Sequence, residues 1–350
     1  MSEREAGESA ETMRERAAGS RWKLWLLLDA DRWVVTAAVL VTIFGALVAV
    51  SVASPVTLRE ALGQSDPVET LFQALVTAII TGVTLVVTIT QLVLSQELGA
   101  VGDQRERMEG ALSFRRDVEE VIDLPVSPPE PAAFLQALVE AAQARAEDLA
   151  GAVGASHDET LRERVDTYTA GLVDDADLVA DRLADAEFGT FGVVFAALDY
   201  NYSWKIYEAR RLRAEYGDTL SEEATDALEG VVETLRLFGP AREHVKTLYF
   251  QWELTNLSRT ILYAAVPALV VAIGGVLFLD SPGTVTGTTL GVDNLVLVVV
   301  GATTVSLAPF ALLLAYVLRI ATVAKRTLAI GPFVLRETDR LENIEWEDDT

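Results

Sequence analysis

An uncharged apolar run at residues 71–94 is the clearest structural signal in the chain. As a helix it is long enough to cross a hydrocarbon core about 30 Å thick. Three further apolar runs, at 33–53, 261–279 and 295–318, have a similar length. The run at 33–53, which comes first in the chain, is too long for the apolar part of a cleavable signal peptide, so we expect it to remain in the membrane. The pattern predicts four transmembrane helices.

The second predicted span, at residues 71–94, carries polar residues on a single helical face, which we call the polar stripe. Its members are spaced three or four residues apart, which at about 100° per residue places them on one narrow face. They are Gln73, Thr77, Thr81, Thr84, Thr88, Gln91 and Ser95. Such groups either pack against neighbouring helices, helped by bonds to their own backbone carbonyls, or face water in a pore. The glutamines at both ends favour the pore, because amides are harder than hydroxyls to satisfy internally.

The segment between the second and third spans is predicted to be an all-helical domain. Amphipathic patterns cover residues 104–122, 131–153 and 161–183, and prolines between 125 and 131 separate the first two. A further helix is expected to start near residue 222, after a Ser/Glu-rich stretch, and to be broken at Gly239 and Pro240. The last helix continues into the third span without a breaker.

Aromatic residues form a dense cluster within this domain. They are Tyr200, Tyr202, Trp204 and Tyr207. Their positions do not fall on one helical face, so we expect part of the cluster to be exposed or to lie in an interface. Core packing, a surface for a subunit or protein partner, and a small-ligand site are the three interpretations.

The distribution of basic residues predicts the topology. Residues 1–32, 97–259 and 319–350 contain six, sixteen and five Lys and Arg, whereas the loops 54–70 and 280–294 contain only Arg59. Basic residues are retained on the cytoplasmic side, so both termini and the helical domain are expected there. The predicted organisation is a tail at 1–32 with an interfacial segment near Trp22 and Trp25, spans within 33–96, an acidic domain at 97–259, spans within 260–318, and a tail at 319–350.

The net charge of −24, with a pI of about 4.4 and only four lysines, is unusual for a membrane protein. An acid-rich, lysine-poor composition resembles proteins of extreme halophiles, in particular haloarchaea. Residues 97–259 contain 33 acidic and 16 basic residues, a balance that argues against nucleic-acid binding because phosphate contacts need the opposite charge.

Motifs for catalysis are absent from the sequence. The chain has no cysteine and two separated histidines, and it lacks the glycine-rich and nucleophile motifs of nucleotide-binding and hydrolytic enzymes. The four apolar runs contain no Asp, Glu, Lys, Arg or His, which argues against proton-coupled transporters, pumps and intramembrane aspartyl proteases. We therefore predict no enzyme activity, catalytic residue, metal or cofactor.

The layout of two spans, a large helical cytoplasmic domain and two more spans is broadly similar to bestrophin-type anion channels, which are pentamers lined by their second span. No bestrophin residue motif is matched. The segment TITQLVLSQELG at 88–99 resembles uncharacterised membrane proteins of haloarchaea.

Two functional hypotheses follow for a multi-pass protein of the cell membrane that self-associates within the lipid bilayer. The first is a homo-oligomeric passive channel for ions or small solutes, lined by the second span. The alternative is a membrane-anchored scaffold or sensor whose cytoplasmic helices bind a protein partner.

Overall fold

The structure, a computed structural model, describes residues 31–62, 66–186, 191–279, 281, 283 and 285–326. The described chain is nearly all-α, as the sequence predicts, with one short antiparallel ladder between β1 (Thr288–Thr289) and β2 (Val292–Asp293). The helices are α1 (Arg32–Ala53), α2 (Leu58–Leu62), α3 (Pro67–Glu97), α4 (Val101–Val121), α5 (Pro131–Gly154), α6 (Glu159–Ala184), α7 (Phe191–Asp199), α8 (Tyr202–Tyr216), α9 (Glu222–Phe278), α10 (Asn294–Ser306) and α11 (Ala308–Arg326). The predicted tails at 1–30 and 327–350, with Trp22 and Trp25, lie outside the described residues.

The described residues divide into two compact units. The span unit comprises residues 31–99 and 250–323, and the inserted unit comprises residues 100–249 together with residues 324–326. The long helix α9 contributes residues to both.

Several helices of the chain are long and apolar enough to cross a membrane. Three qualify individually, namely α1, α3 and α9. The pair α10 and α11 forms a fourth candidate if the two are taken as one bent span. Length and composition therefore make this a candidate membrane protein with three or four spans among the described residues.

The predicted span at 295–318 is a bent pair of helices, because the helix breaks after Ser306 and its two parts differ in direction by 45°. Pro309 explains the break. Proline has no backbone N–H to donate to the preceding turn, and its ring clashes with the carbonyl four residues before it. The chain restarts at once, since the carbonyl of Leu307 accepts bonds from the N–H groups of Phe310 and Ala311 at 3.0 and 3.1 Å.

The core of the span unit lies between α3, α9 and α10. Phe72 and Ile79 of α3 are fully buried against a row of alanines on α9 and against α10. The alanines are Ala265, Ala268 and Ala272. Small residues allow helix backbones to approach closely, which is the usual source of packing energy between helices in a bilayer.

The inserted unit is built around the paired helices α5 and α6. Their facing leucines are almost fully buried: Leu135, Leu138, Leu149, Leu161, Leu172 and Leu183. Each such side chain stabilises the fold by about 1.5–3 kcal/mol relative to exposure. The start of α5 follows the predicted break, with Pro131 at its first position and the Glu130 carboxylate accepting the N–H of Ala133 at 2.8 Å.

The predicted break at Gly239 and Pro240 is wrong, because α9 continues through both residues. An interior proline costs about 3 kcal/mol through its lost hydrogen bond and ring clash. Here the proline is exposed, and so is Arg236, whose carbonyl loses its partner and can reach water. Buried packing by Phe238 and Leu235 favours the helical conformation, so tertiary contacts override the local signal.

Candidate functional site

All seven residues of the polar stripe are exposed on the surface of the span unit. The buried positions of α3 lie on the opposite side of the helix, at Val68, Phe72, Leu75, Ile79, Val86 and Thr90. The face of α3 that packs within the subunit is therefore apolar except for Thr90, near the C-terminal end of the helix. The polar face is directed away from that core and is available to contact lipid, water or another subunit.

Most hydroxyl protons on the stripe are satisfied within α3. Thr77, Thr84 and Thr88 donate to carbonyls four residues earlier, at 3.1, 2.8 and 2.8 Å. The Ser95 hydroxyl donates to the Leu92 carbonyl at 2.7 Å. Such bonds let threonine and serine sit in an apolar medium at little cost. The hydroxyl oxygens still present acceptor lone pairs on the outside of the helix.

The two glutamines at the ends of the stripe differ in their partners. The Gln73 amide donates to the Glu69 carboxylate at 2.8 Å. The side chain of Gln91 has no hydrogen-bond partner among the described residues. Its amide carries two donors and an acceptor, and leaving these unmade in an apolar medium costs several kcal/mol, on the order of 4–8 for transfer to a hydrocarbon. In an apolar medium, the Gln91 amide would therefore need hydrogen-bond partners from outside the described chain.

The exposed face of α9 provides a comparison within the same unit. Its exposed large side chains are all apolar over the last five turns, except for the hydroxyl of Tyr263. They include Leu262, Val266, Val270, Ile273 and Leu277. This composition is typical of a surface that contacts lipid. The α3 face, with its threonines and glutamines, is chemically different.

A bidentate ion pair connects the two loops that the sequence predicts on the outer side. The Arg59 guanidinium donates to both carboxylate oxygens of Asp293, at 2.5 and 2.6 Å, and to the Val285 carbonyl at 2.6 Å. Asp293 also caps α10 by accepting the N–H of Leu295 at 2.9 Å. The hydrogen bond from Arg59 and then that from Leu295 lower the pKa of Asp293. Sequence reasoning identified Arg59 only as a topology marker.

A second ion pair, between Arg32 and Glu253, lies at the start of α1 and was not predicted. The Glu253 side chain is only 1% exposed. The Arg32 guanidinium also lies 4.7 Å from the centre of the Tyr316 ring, so three helices meet at these residues. Removing one partner of a buried pair typically costs about 3–5 kcal/mol, because the other charge stays buried. No local sequence signal pairs residues this far apart.

The aromatic cluster is divided by the structure. Tyr200 and Tyr202 are buried, at 1% and 6% exposure, and both rings contact Phe238. Burial raises the pKa of Tyr200 well above its usual value. Both side chains are therefore packed inside the unit. Trp204 and Tyr207 are half-buried and pack against each other with ring centres 5.3 Å apart.

Helix α4 is the most exposed helix of the inserted unit. Residues 101–113 are all exposed, including the apolar side chains of Val101, Met108 and Leu112. The helix is held at its C-terminal end, where Arg115 donates to the carbonyls of Ser127 and Pro128 at 2.7 and 2.9 Å. It thus presents an apolar surface with no cover from the described chain.

No cluster of three or more His, Cys, Asp or Glu side chains within the described residues is arranged to hold a metal ion. The features with functional potential are the exposed polar stripe, the half-buried aromatic pair and the exposed helix α4.

These features define a class: a nearly all-α protein with several helices long and apolar enough to span a membrane, one of which exposes a polar face. The chain belongs to the DUF7972 family, a family of unknown function, whose model matches residues 1–348. The comparisons with curated proteins and with solved structures found no match.

Proposed function

We propose that this protein is a homo-oligomer of the cell membrane in which α3 of each subunit lines a passive path for ions or small solutes. The observation that supports this proposal is the exposure of all seven stripe residues on the side of α3 opposite its packed face. Polar groups through the depth of the hydrocarbon are stable when they face water or a partner helix. The mechanism involves no catalytic step.

Oligomerisation is part of the proposal because a single subunit has too few helices to enclose a path. Closed cyclic symmetry brings the same face of every subunit to one axis. One α3 per subunit then supplies a ring of Thr81, Thr84 and Thr88 at the membrane centre, and the Gln91 amides meet water or each other at one end. The layout of the chain agrees with this, since bestrophin-type channels are also lined by their second span.

The proposed topology has four spans per subunit, with α10 and α11 as one bent span, and both termini and the inserted unit in the cytoplasm. The support is the distribution of basic residues, 27 of which lie in the three segments assigned to the inner side. The acidic surface of the protein is proposed to be an adaptation to concentrated salt, in which repulsion between carboxylates is screened.

Replacing Thr81, Thr84 and Thr88 together by Val tests the channel directly. Valine has nearly the shape of threonine but no hydroxyl, so a wet path should dewet and lose conductance. We expect reduced flux of K⁺, Na⁺ or Cl⁻ into liposomes, with an unchanged size-exclusion profile. Thr42→Val is the control, because Thr42 is an exposed threonine on α1 outside the stripe. Normal flux through the triple variant would exclude this lining.

Cysteine cross-linking tests the arrangement around an axis, since the chain has no native cysteine. We expect Thr84→Cys to form disulfide-linked subunits in membranes under mild oxidation, because the symmetry axis brings the stripe of neighbouring subunits together. Val270→Cys is the control, as Val270 lies on the apolar face of α9 and is 66% exposed. Cross-linking at 270 but not at 84 would contradict the proposed interface.

A membrane-anchored scaffold or sensor is the second candidate. It is favoured by two separate features, the exposed apolar side chains of α4 and the half-buried pair of Trp204 and Tyr207, either of which offers contacts to a cytoplasmic protein. The flux assay separates the two candidates. If correctly assembled wild-type protein passes none of the three ions, the scaffold replaces the channel.

A further inference from the structure

A groove in the inserted unit lies between α8 and α9, separate from the polar stripe, the aromatic pair and helix α4. Its volume is 650 Å³, within the range of pockets that hold small ligands. One wall consists of the apolar side chains of Ala209, Leu228 and Val232, of which the first two are buried. Its charged lining consists of three arginines, Arg210, Arg213 and Arg236, and two glutamates, Glu229 and Glu233, so the arginines outnumber the carboxylates.

The arginines of the groove are only partly neutralised by carboxylates. Arg213 pairs with Glu229, while Arg210 and Arg236 have no ion-pair partner among the described residues. This is notable in a segment where acidic residues outnumber basic ones two to one. Two guanidinium groups are therefore available to an anion that enters the groove.

We propose that this groove binds a phosphate-bearing small molecule, with its phosphates on the arginines and its apolar part on Leu228 and Val232. Each guanidinium offers a planar fork of N–H donors that matches pairs of phosphate oxygens. A single carboxylate has only two oxygens and cannot bond both the Arg210 and the Arg236 fork in bidentate fashion, whereas a diphosphate presents enough acceptors. Glu229 and Glu233 oppose binding, because both place a negative charge beside the anion and Glu229 also occupies Arg213. The site does not depend on whether α3 lines a pore.

Titration calorimetry of the full chain in detergent tests the site with two probes, ADP and inorganic pyrophosphate. The buffer should contain the lowest KCl concentration at which the protein keeps its helical circular dichroism, since salt screens the arginines. We expect one ADP per chain. ADP should bind more tightly than pyrophosphate, because only ADP has a part that contacts the apolar wall.

Variants that remove either a positive or a negative charge from the groove make the test specific. Arg210→Gln and Arg236→Gln should each weaken ADP binding about tenfold, the loss expected for a charge-assisted bond. Glu229→Gln should tighten binding, because it frees Arg213 and removes the repulsion. The controls carry the same charge changes outside the groove: Arg164→Gln and Glu163→Gln should leave affinity unchanged, and both residues are exposed on α6.

The proposal fails if neither probe binds below about 1 mM, the range of weak encounters. It also fails if Arg164→Gln weakens binding as much as Arg210→Gln, since net charge alone would then explain the effect. Weaker ADP binding by the Glu229→Gln variant than by wild type would likewise overturn the assigned geometry. Circular dichroism of each variant establishes that the surface substitutions leave the helices intact.

Discussion

The ring of Phe72 on α3 occupies the space that a side chain at Gly275 on α9 would need. A Cβ atom at Gly275 would lie 2.5 Å from the Cδ2 and Cγ atoms of Phe72, far inside van der Waals contact. A Cβ atom at the adjacent residue, Gly274, would meet no neighbouring heavy atom within 4 Å. The two glycines therefore have different roles: one admits a ring and the other lies beside open space.

Gly275→Ala should destabilise the span unit by about 1–3 kcal/mol, the usual effect of overpacking a core. We expect a melting temperature a few degrees lower for detergent-solubilised protein. Gly274→Ala is the matched control and should melt at the wild-type temperature or above, because alanine also favours the helix. Equal melting temperatures for both variants would show that Phe72 does not pack on Gly275.

The pair of Arg59 and Asp293 predicts a pH dependence of stability. The pKa of Asp293 is lowered in the folded protein, first by its bond from Arg59. Such a group stabilises the fold above its unfolded pKa, about 3.9, and this contribution is lost as the pH falls through the lower folded value. Asp293→Asn should therefore melt below wild type at pH 7, and the difference should shrink towards pH 3.

Asp66→Asn is the control for this experiment. Asp66 stands at the start of α3 in the same loop region, but its side chain makes no capping bond. We expect its melting temperature to follow wild type across the pH range. A constant gap between Asp293→Asn and wild type from pH 7 to pH 3 would mean that the ion pair does not contribute.

The proposed topology predicts which residues are accessible from each side of the membrane. Single cysteines at Val56 and Leu290, which are 53% and 99% exposed, should react with a membrane-impermeant maleimide on intact cells. A cysteine at Met108, which is 62% exposed, should react only after the cells are opened. The reverse pattern would invert the topology.

The acidic composition predicts a dependence on salt. Lowering KCl from about 1 M to about 0.1 M lengthens the Debye screening length from about 3 to about 10 Å. Repulsion among the 33 carboxylates between residues 97 and 259 should then grow, lowering the helical circular dichroism and melting temperature of the full chain. Sucrose at equal osmolality should not restore the helical circular dichroism or the melting temperature, because it does not screen charge. An unchanged melting curve would contradict a halophilic adaptation.

The local pattern of the chain determined the helices and their chemistry. In a bilayer every backbone group must be bonded within its own segment, so an apolar run of sufficient length predicts a helix without knowledge of its neighbours. The spacing of the polar stripe and the start of α5 at Pro131 follow from the same local rules. The structure has helices at all four predicted runs, with the last one bent.

The tertiary structure decided what depends on contacts between distant residues. Whether the polar stripe faces the core or the outside, whether Tyr200 is buried, and which carboxylate meets Arg59 all depend on elements that pack from elsewhere in the chain. The same holds for the helix through Pro240, where buried neighbours outweigh a local breaker, and for the arginine groove between α8 and α9. A single sequence specifies the periodicity of each helix, but packing energy, summed over many weak contacts, selects the face that each helix buries.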